Sequence, residues 1–370
     1  MTVIDGDGHV LESLETFGDA YLDPQYHDRR PQAVTSNGSS HWLIDSQLFP
    51  RYSGRSPHVI GTPTGGGGVK SSSDPRVKDT RASNQLHDPA ARLARMALEG
   101  IDLQVIYPTL FLVWELSADP AFGSALCRAY NNWVADKCRE SGGKLFWVAV
   151  VNLQDVQGAV AELRRVKAER DPVAVMIMGT AGDRPLNHPS LFPFFAAAEE
   201  LRLPIAVHVG WCSPSFSNMY DNLIDSLLIP FALPLIMGFE AFVCGGLLDR
   251  FPRLRVVFLE LGCEWVHFML HRMEHWTRFC GEKMPRALLA KRPPLEYLRG
   301  GQVYFGTEVD DELLPAVVNL VGEDHLIYGS DIPHGDREFL TVQTLRGRND
   351  LSESAKRKML EENVRRFYNL

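Results

Sequence analysis

A strand–helix–strand pattern is clearest in residues 172–209, PVAVMIMGTAGDRPLNHPSLFPFFAAAEELRLPIAVHV. Two apolar segments, PVAVMIM (172–178) and PIAVHV (204–209), enclose the helical segment PSLFPFFAAAEEL (189–201). Both apolar segments are nearly continuous, as strands are when a parallel sheet buries their two faces. The stretch is therefore typical of two parallel strands joined by a helix.

The same alternation extends along the chain in both directions. Six further β-branched or aromatic segments are each followed by a helix-like segment. They are TVID (2–5), IDLQVIY (101–107), KLFWVAVV (144–151), RVVFLEL (255–261), QVYFG (302–306) and HLIYG (325–329). Asp88-Pro89 and Asp119-Pro120 are helix-start signals, and Gly100 is a stop signal. Eight such repeats predict an α/β fold, a TIM (β/α)8 barrel; a doubly wound parallel sheet is the alternative.

Length and composition agree with one globular enzyme domain. The chain has 370 residues, 45% hydrophobic and 23% charged, which fits a single barrel over residues 1–370. An insertion of about residues 11–87 follows the first strand, and its centre, GTPTGGGGVKSSS (61–73), is expected to be a lid or loop. The net charge of −8 argues against nucleic acid as a partner. Six unpaired-looking cysteines and an acidic start without a signal-peptide pattern predict a cytoplasmic protein.

One apolar stretch has the length of a membrane span. Residues 227–248 read LLIPFALPLIMGFEAFVCGGLL, with Glu240 as the only charge. Pro230, Pro234 and the flanking strand–helix units favour a helix that packs on the barrel after an apolar loop. No membrane partner is therefore expected.

Acids and histidines are concentrated where the predicted strands end. They are Asp5, Asp7 and His9 in DGDGH, then His208, Glu260, Glu308 and Asp331. A period of two would place the first three on one face of strand one. The carboxyl ends of barrel strands converge on one mouth, and a bound cation relieves the repulsion among crowded acids. We therefore expect Asp7, His9, His208, Glu260, Glu308 and Asp331 to bind metal.

Several of these residues also have structural interpretations. Asp5 is expected to hydrogen-bond backbone at the strand edge, and Glu260 or Glu308 could serve in ion pairs instead of binding metal. His334, three residues after Asp331, is a candidate for substrate contact. His188 could cap a helix or reach the mouth. The remaining histidines of note, His267, His271 and His275, share one helical face and are expected to point to solvent.

Two apolar loops indicate the character of the substrate. PTLFLVWEL (108–116) follows strand two, and WCSPSFSNMYDNLIDSLLIPF (211–231) follows strand five. An apolar mouth suits a bulky or aromatic small molecule, with Trp114 and Trp211 as candidate contacts. Glu115 is a spare acid that could also reach the metal. The same loops could instead pack on each other or on a second copy in a homodimer.

The order of these motifs resembles the amidohydrolase-2 family of metal-dependent decarboxylases, lactonases and hydrolases on a distorted TIM barrel. The resemblance rests on DGDGH, LPIAVHVG, RFPRLRVVFLELGCEW and HLIYGSDIPH. It implies that Asp7, His9, His208 and Asp331 are metal ligands. Two departures matter: Glu260 stands where the decarboxylases usually carry histidine, and strand four has no lysine to bridge two zinc ions.

The ligand count and the family resemblance leave three functional hypotheses. Two imidazoles and four carboxylates are the ligands of carboxylate-bridged di-iron proteins. The family resemblance also extends to an oxidative branch, a nonheme di-iron monooxygenase of terpenoid antibiotic biosynthesis. We therefore predict two iron ions, dioxygen as co-substrate, and hydroxylation of a bulky apolar carboxylic acid or its thioester. The alternative is a zinc or manganese hydrolase or decarboxylase, with Asp331 and Glu260 as catalytic acid–base residues. A barrel that retains metal only for structure is the third.

Overall fold

Eight parallel strands, numbered β1 to β8 in chain order, form one sheet in the computed structural model, which describes residues 1–65, 80–285, 289–335 and 339–370. The strands are Ile4–Val10, Leu103–Pro108, Leu145–Val150, Ala174–Met178, Ile205–His208, Val256–Leu259, Val303–Thr307 and Leu326–Tyr328. Each neighbours the next along the chain. All eight predicted strands are present, shifted by a few residues at their ends.

The sheet closes on itself through backbone hydrogen bonds between its first and last segments. The amide of Asp331 donates to the carbonyl of Asp7 (2.8 Å), and the amide of His9 donates to the carbonyl of Ile332 (2.6 Å). A doubly wound sheet leaves its two edge strands apart, so this contact decides between the two predicted folds. The protein is a nearly closed TIM barrel, as predicted.

Helices α1 to α15 lie between and after the strands. They are Arg81–Asn84, Pro89–Glu99, Pro120–Arg139, Val156–Glu169, Phe192–Glu200, Pro214–Ser217, Leu223–Ser226, Leu233–Val243, Leu247–Arg250, Trp265–Lys283, Pro294–Arg299, Leu314–Val321, Thr341–Gly347, Glu353–Arg357 and Asn363–Tyr368. Short 3-10 turns cover Leu14–Phe17, Pro24–Arg29, Leu110–Leu112, Pro189–Leu191 and Glu323–His325, and π-helical turns cover Leu227–Phe231 and Lys358–Glu362. The predicted starts of α2 and α3 are confirmed, because Asp88 and Asp119 accept hydrogen bonds from the first-turn amides.

Strand β1 differs from its prediction. The sequence predicts an apolar segment over residues 2–5 and a strand end in DGDGH with Asp5, Asp7 and His9 on one face, but β1 spans Ile4–Val10 and its pairing with β2 shifts register between Asp5 and Gly8. A side chain at Gly8 would lie 2.3 Å from the Gln104 amide, so glycine is required at this shift. The irregularity breaks the period of two. Asp5 therefore does not share the environment of Asp7 and His9.

The insertion between β1 and β2 contains a small antiparallel sheet. Its strands are Gln32–Ser36, Ser39–Ile44 and Gln47–Phe49. The insertion contacts the segment after β5 at Pro57, beyond this small sheet: Ser226 Oγ donates to the carbonyl of Pro57 (2.5 Å) and accepts from Trp211 Nε1 (2.8 Å). Residues 66–79 lie outside the described residues, and with them most of the glycine-rich segment predicted to be a lid.

The apolar stretch near residue 230 is helical and packs on the barrel. The segment Leu223–Val243 is long and apolar enough to cross a membrane, but half of its most apolar window is buried within the fold. Helix α8 lies so close to the end of β4 that a Cβ added to Gly179 would be 1.8 Å from the carbonyl oxygen of Pro234. A helix packed on the barrel is what the two prolines and the single acid predicted.

Candidate metal centre

Strands β1 and β5 bring two histidines together in the barrel mouth. Their Nε2 atoms are 3.2 Å apart, and both residues are fully buried. His9 Nδ1 donates to the carbonyl of Pro108 (2.9 Å), and His208 Nδ1 donates to the carbonyl of Val209 (3.0 Å). Because a carbonyl only accepts, each neutral ring carries its proton on Nδ1. Both Nε2 lone pairs therefore face the same point, as they do when they bind a metal ion.

Three carboxylates surround these nitrogens. His9 Nε2 lies 3.4 Å from Asp7 Oδ1, 3.3 Å from Glu260 Oε2 and 3.5 Å from Asp331 Oδ1. His208 Nε2 lies 3.0 Å from Glu260 Oε2 and 3.7 Å from Asp7 Oδ1. The ligand atoms of Asp7, His9, His208 and Glu260 all lie within 4.8 Å of one another. We call these four residues, together with Asp331, the mouth cluster.

The mouth cluster is deficient in positive charge. Asp7 Oδ1 and Glu260 Oε2 are buried, with no hydrogen-bond partner in the described part of the chain. Burial lowers the pKa of His208, but the Glu260 and Asp7 carboxylates outweigh it and raise that pKa to about 9. Burial also raises the pKa of Glu260, and the facing His208 and His9 hold it well below its usual range. Two imidazoles and several carboxylates fit a divalent cation such as manganese, zinc or iron.

Backbone strain directs two of the acids into the mouth. Glu260 directly follows β6 with a φ of 65°, and Asp331 lies beyond the end of β8 with a φ of 56°. Residues other than glycine adopt this left-handed conformation uncommonly, so the surrounding contacts must hold both acids in it. At Asp331 the conformation is held by the hydrogen bond from its amide to Asp7 and by the amide of His334, which donates to the Asp331 carbonyl (2.8 Å).

His334 joins the mouth cluster from the loop after β8. Its Nδ1 is 2.7 Å from Asp331 Oδ1 and 4.0 Å from Glu260 Oε2, and its ring centroid is 4.2 Å from that of His9. Its Nε2 forms a hydrogen bond with Thr109 Oγ1 (2.9 Å). The sequence predicted a substrate contact here; that stays a prediction, and the structure adds a carboxylate–imidazole pair.

Asp5 and Glu308 differ in position from the other predicted acids. Asp5 accepts hydrogen bonds from Gln104 Nε2 (2.6 Å), from the Ser330 amide (2.9 Å) and hydroxyl (2.5 Å), and from the Asp7 amide (3.1 Å). It joins β1 to its two neighbours, which agrees with its structural interpretation. Glu308 lines a small cavity with three mouth-cluster acids, but it lies outside the close groups of ligand atoms found among the described residues.

Two buried acids that support the mouth were not predicted. Glu12 accepts hydrogen bonds from the amides of Thr109 (3.1 Å) and Leu110 (2.9 Å). It thereby fixes the loop in which the Thr109 hydroxyl pairs with His334. Asp311 accepts from the amides of Cys263 and Glu308, both at 3.1 Å, and joins the loops after β6 and β7. Glu12 lies two residues after β1 and could have been found as a strand-end acid. Asp311 has no comparable signal in the sequence.

The predicted aromatic contacts separate into two environments. Trp114 lines a pocket between the ends of β2, β3 and β4, and Glu115 lines the same pocket. Trp211 is buried against Phe231, with ring centroids 4.5 Å apart, and is not among the described residues that line this pocket.

The histidines outside the mouth have the expected structural positions. Those on α10 are all exposed: His267, His271 and His275. Nδ1 of His188 accepts from the Ser190 amide (3.3 Å), so this residue caps the turn before α5. Neither observation supports a second histidine metal site.

Comparison with known proteins defines the class to which this fold and site belong. A family model described as Amidohydrolase (Amidohydro_2) matches residues 74–370, and the chain belongs to this family. It is 26% identical to the 2-amino-3-carboxymuconate-6-semialdehyde decarboxylase of Dictyostelium discoideum over 76% of this chain and 77% of that protein. It is also 26% identical to the gamma-resorcylate decarboxylase of Rhodococcus jostii (strain RHA1), over 56% of this chain and 66% of that protein. The family resemblance of the sequence motifs is thereby confirmed.

Solved structures share the fold. An amidohydrolase from Mycobacterium avium subsp. paratuberculosis K-10 superposes with a TM-score of 0.75 and 22% identity, over 100% of this chain and 98% of that one. The manganese complex of 5-carboxyvanillate decarboxylase from Novosphingobium aromaticivorans superposes with a TM-score of 0.67 and 20% identity, over 81% and 85% of the two chains. These relatives support the zinc or manganese enzyme that was the alternative hypothesis. None of those named here is a di-iron monooxygenase.

Proposed function

We propose that this protein is a metal-dependent decarboxylase of conjugated or aromatic carboxylic acids. The observation that carries the proposal is the Asp331–His334 pair, 2.7 Å apart, directly beside the mouth cluster. Decarboxylation requires both a cation for the substrate and an acid that protonates carbon, and this arrangement holds residues for both. The decarboxylase relatives, whose names specify hydroxylated, carboxylated or amino-substituted unsaturated acids, support it.

The position of His334 accounts for the glutamate at the end of β6. Family decarboxylases usually carry a histidine there, and an ionised glutamate has no proton to give to the carbon that loses its carboxylate. Glu260 lies 3.0 Å from His208 Nε2 and fits a role as a metal ligand. His334 supplies an imidazole from the loop after β8, two strands further along the chain than Glu260. His334, in the loop after β8, thus takes the role of the histidine that family decarboxylases carry at the end of strand six.

The reaction follows from the residues around the site. When bound, a divalent cation would be held by His9, His208, Asp7 and Glu260, and would supply the positive charge that fixes the substrate carboxylate. Asp331 and His334 hold a proton between Oδ1 and Nδ1 and deliver it to the carbon that bears the carboxylate. The bond from that carbon to the carboxylate then breaks, and its electron pair restores the conjugated system. Carbon dioxide leaves, so one proton is consumed for each molecule released.

The mouth excludes water from this step. His9, His208 and Asp331 are buried, and the neighbouring pocket is mostly apolar. A planar unsaturated acid fits between the walls formed by Trp114 and Met178. Charge that develops on the substrate is stabilised more strongly in such a site than in water.

The test is release of carbon dioxide from a panel of hydroxybenzoic acids. Protein loaded with manganese, loaded with zinc or stripped of metal would be compared, each in air and under anaerobic conditions. We expect metal-dependent release at the same rate without oxygen. Hydroxylated product that forms only in air, from protein with about two irons per chain, would instead support the monooxygenase. Elemental analysis of protein purified without added metal gives the identity and number of ions.

A further inference from the structure

The pocket lined by Trp114 has an apolar wall that begins on β4, the strand next to β5 of the mouth cluster. Trp114, Met176 and Met178 form much of this wall. Met178 is the residue of β4 that pairs in register with His208 of β5, and neighbouring strands are about 4.8 Å apart. A ligand held at the mouth cluster by its carboxylate therefore extends along this wall.

One acid with a fixed orientation lines the same pocket. Glu115 Oε2 accepts a hydrogen bond from Gln154 Nε2. The Gln154 amide cannot easily turn over, because its Oε1 accepts from Asn152 Nδ2 (3.3 Å) and its backbone amide donates to Asn152 Oδ1 (3.1 Å). Glu115 Oε1 is thus left to accept a hydrogen bond from a ligand. The side chain is half-buried, and this burial raises its pKa above the usual value.

The charges around the pocket disfavour ligands that place an anionic group beside Glu115. No lysine or arginine lines it within the described ranges, so an anionic group placed beside Glu115 would meet like charge without compensation. A neutral hydroxyl or an amine in the same place would donate to a carboxylate, which is among the stronger hydrogen bonds in proteins. A charged acceptor that lies in a mostly apolar pocket discriminates strongly for its donor.

We propose that Glu115 and Gln154 form a specificity subsite for a hydrogen-bond donor, a ring hydroxyl or an amine, at the end of the substrate away from its reacting carboxylate. The inference rests on the proposed function, because it takes the carboxylate to lie at the mouth cluster. It assigns the substrate to the monocarboxylic, hydroxyl- or amine-bearing unsaturated acids. Substrates with a second carboxylate at the far end are rejected.

Equilibrium selectivity tests this proposal independently of turnover. The ligands are salicylate, its ring-hydroxylated derivatives and its ring-carboxylated derivatives, added to manganese-loaded protein. Stopped-flow quenching of tryptophan fluorescence, read before turnover, gives each Kd. We expect at least one hydroxylated derivative to bind about tenfold more tightly than salicylate, and the carboxylated ones about tenfold more weakly, since one charge-assisted hydrogen bond has this effect.

The variant Glu115→Gln keeps the size of the side chain and removes its charge. We expect carboxylated derivatives to gain about tenfold in affinity, with metal content unchanged, whereas the exposed control Glu140→Gln leaves every Kd as it was. Equal selectivity in wild type and Glu115→Gln would overturn the subsite, even if carbon dioxide is released. Altered selectivity without any carbon dioxide release would support the subsite and overturn the decarboxylase. Failure of all ligands to bind at millimolar concentration would overturn both.

Discussion

At the scale of single residues, the two facing imidazoles define what the mouth can bind. Their Nδ1 protons are committed to backbone carbonyls, and the Nε2 atoms are 3.2 Å apart. A proton or a metal ion beside these atoms removes the repulsion between two facing lone pairs, and the Glu260 and Asp7 carboxylates favour positive charge there. The tautomers fixed by Pro108 and Val209 therefore prepare the site for metal before any metal arrives.

Removal of one of these imidazoles is expected to empty the site. The variant His208→Ala should lose at least tenfold in metal affinity, because a ligand atom and its backbone-fixed orientation disappear together. The measurement is metal content after dialysis against a weak chelator. His271→Ala, which alters an exposed histidine, serves as the control. Full metal content in His208→Ala would show that the ion binds elsewhere.

His334 is expected to act on the reaction more than on the metal. In His334→Gln the amide can still hydrogen-bond but cannot transfer a proton, so kcat should fall by about 10²–10⁴-fold while the bound metal remains. Thr109→Val, which removes only the partner of Nε2, should lower kcat less. Loss of the metal from His334→Gln would make this residue a ligand, and an unchanged kcat would remove it from the mechanism.

Asp5 is expected to matter for stability. Oδ2 of its carboxylate accepts from Gln104 Nε2 and Ser330 Oγ, so the amide group of Asp5→Asn would face two donors. We expect a loss of about 1–3 kcal/mol in the free energy of unfolding, the cost of buried groups left without partners. Urea denaturation measures it, with the exposed Asp171→Asn as the control. Equal stability of the two variants would contradict this assignment.

The predicted convergence of acids and histidines is seen for those residues that stand at the ends of barrel strands. Asp7, His9, His208, Glu260 and Asp331 converge as expected, because barrel topology brings strand ends to one mouth. The error was to place Asp5 on the same face. A register shift of one residue has no signal in local composition, since it depends on how Gln104 of the neighbouring strand packs over a glycine.

At the scale of elements, strand identity was predictable and strand ends were not. Buried parallel strands are apolar throughout, so their positions are visible in the sequence. The apolar segment predicted for strand one stops at Asp5, whereas β1 includes all of DGDGH and continues to Val10, because hydrophobicity marks the buried part of a strand and not its polar end. Asp5 remains in the strand because it is hydrogen-bonded to the neighbouring strands, and Asp7 and His9 remain in it as members of the mouth cluster. Polar strand ends are therefore expected wherever a barrel carries its site.

The contact between α8 and β4 is expected to be intolerant of any side chain. A Cβ on Gly179 would lie 1.8 Å from the carbonyl oxygen of Pro234, so Gly179→Ala must displace the helix. We expect a loss of about 3 kcal/mol in stability, at the upper end of the cost of overpacking. Gly347→Ala, with no atom within 4 Å of the added Cβ, is the matched control. Thermal denaturation compares the two, and similar Tm values would mean that α8 is not packed as described.

At the scale of the whole molecule, the mouth cluster should couple metal binding to folding. Without an ion, the carboxylates of β1, β6 and β8 repel one another where the barrel closes. At a metal concentration of about 1,000 Kd, binding stabilises the folded state by about 4 kcal/mol. Chelation is therefore expected to lower Tm by several degrees, and added manganese should restore it. An unchanged Tm in calorimetry would show that the closed barrel does not depend on the ion.

The predicted homodimer remains a proposal. Three large apolar side chains of the segment after β5 are exposed: Met219 (71%), Ile224 (61%) and Leu228 (64%). A second copy that covers this surface would double the 41.5 kDa mass seen by light scattering. We expect Leu228→Asp to reduce the mass to that of one chain. A wild-type mass of one chain would refute the dimer.

The closure of the barrel also determines when the protein can acquire its ion. Asp5 and Ser330, which are hydrogen-bonded to each other, stand 325 positions apart along the chain, and their neighbours Asp7 and Asp331 meet in the mouth. During synthesis the first of these residues leaves the ribosome long before the last. A nascent fragment that ends near Glu260 already contains Asp7, His9, His208 and Glu260 but lacks β7, β8 and Asp331, so it has no closed mouth to hold these side chains together. Metal binding in the finished mouth is thus expected only after β8 has been made and has joined β1.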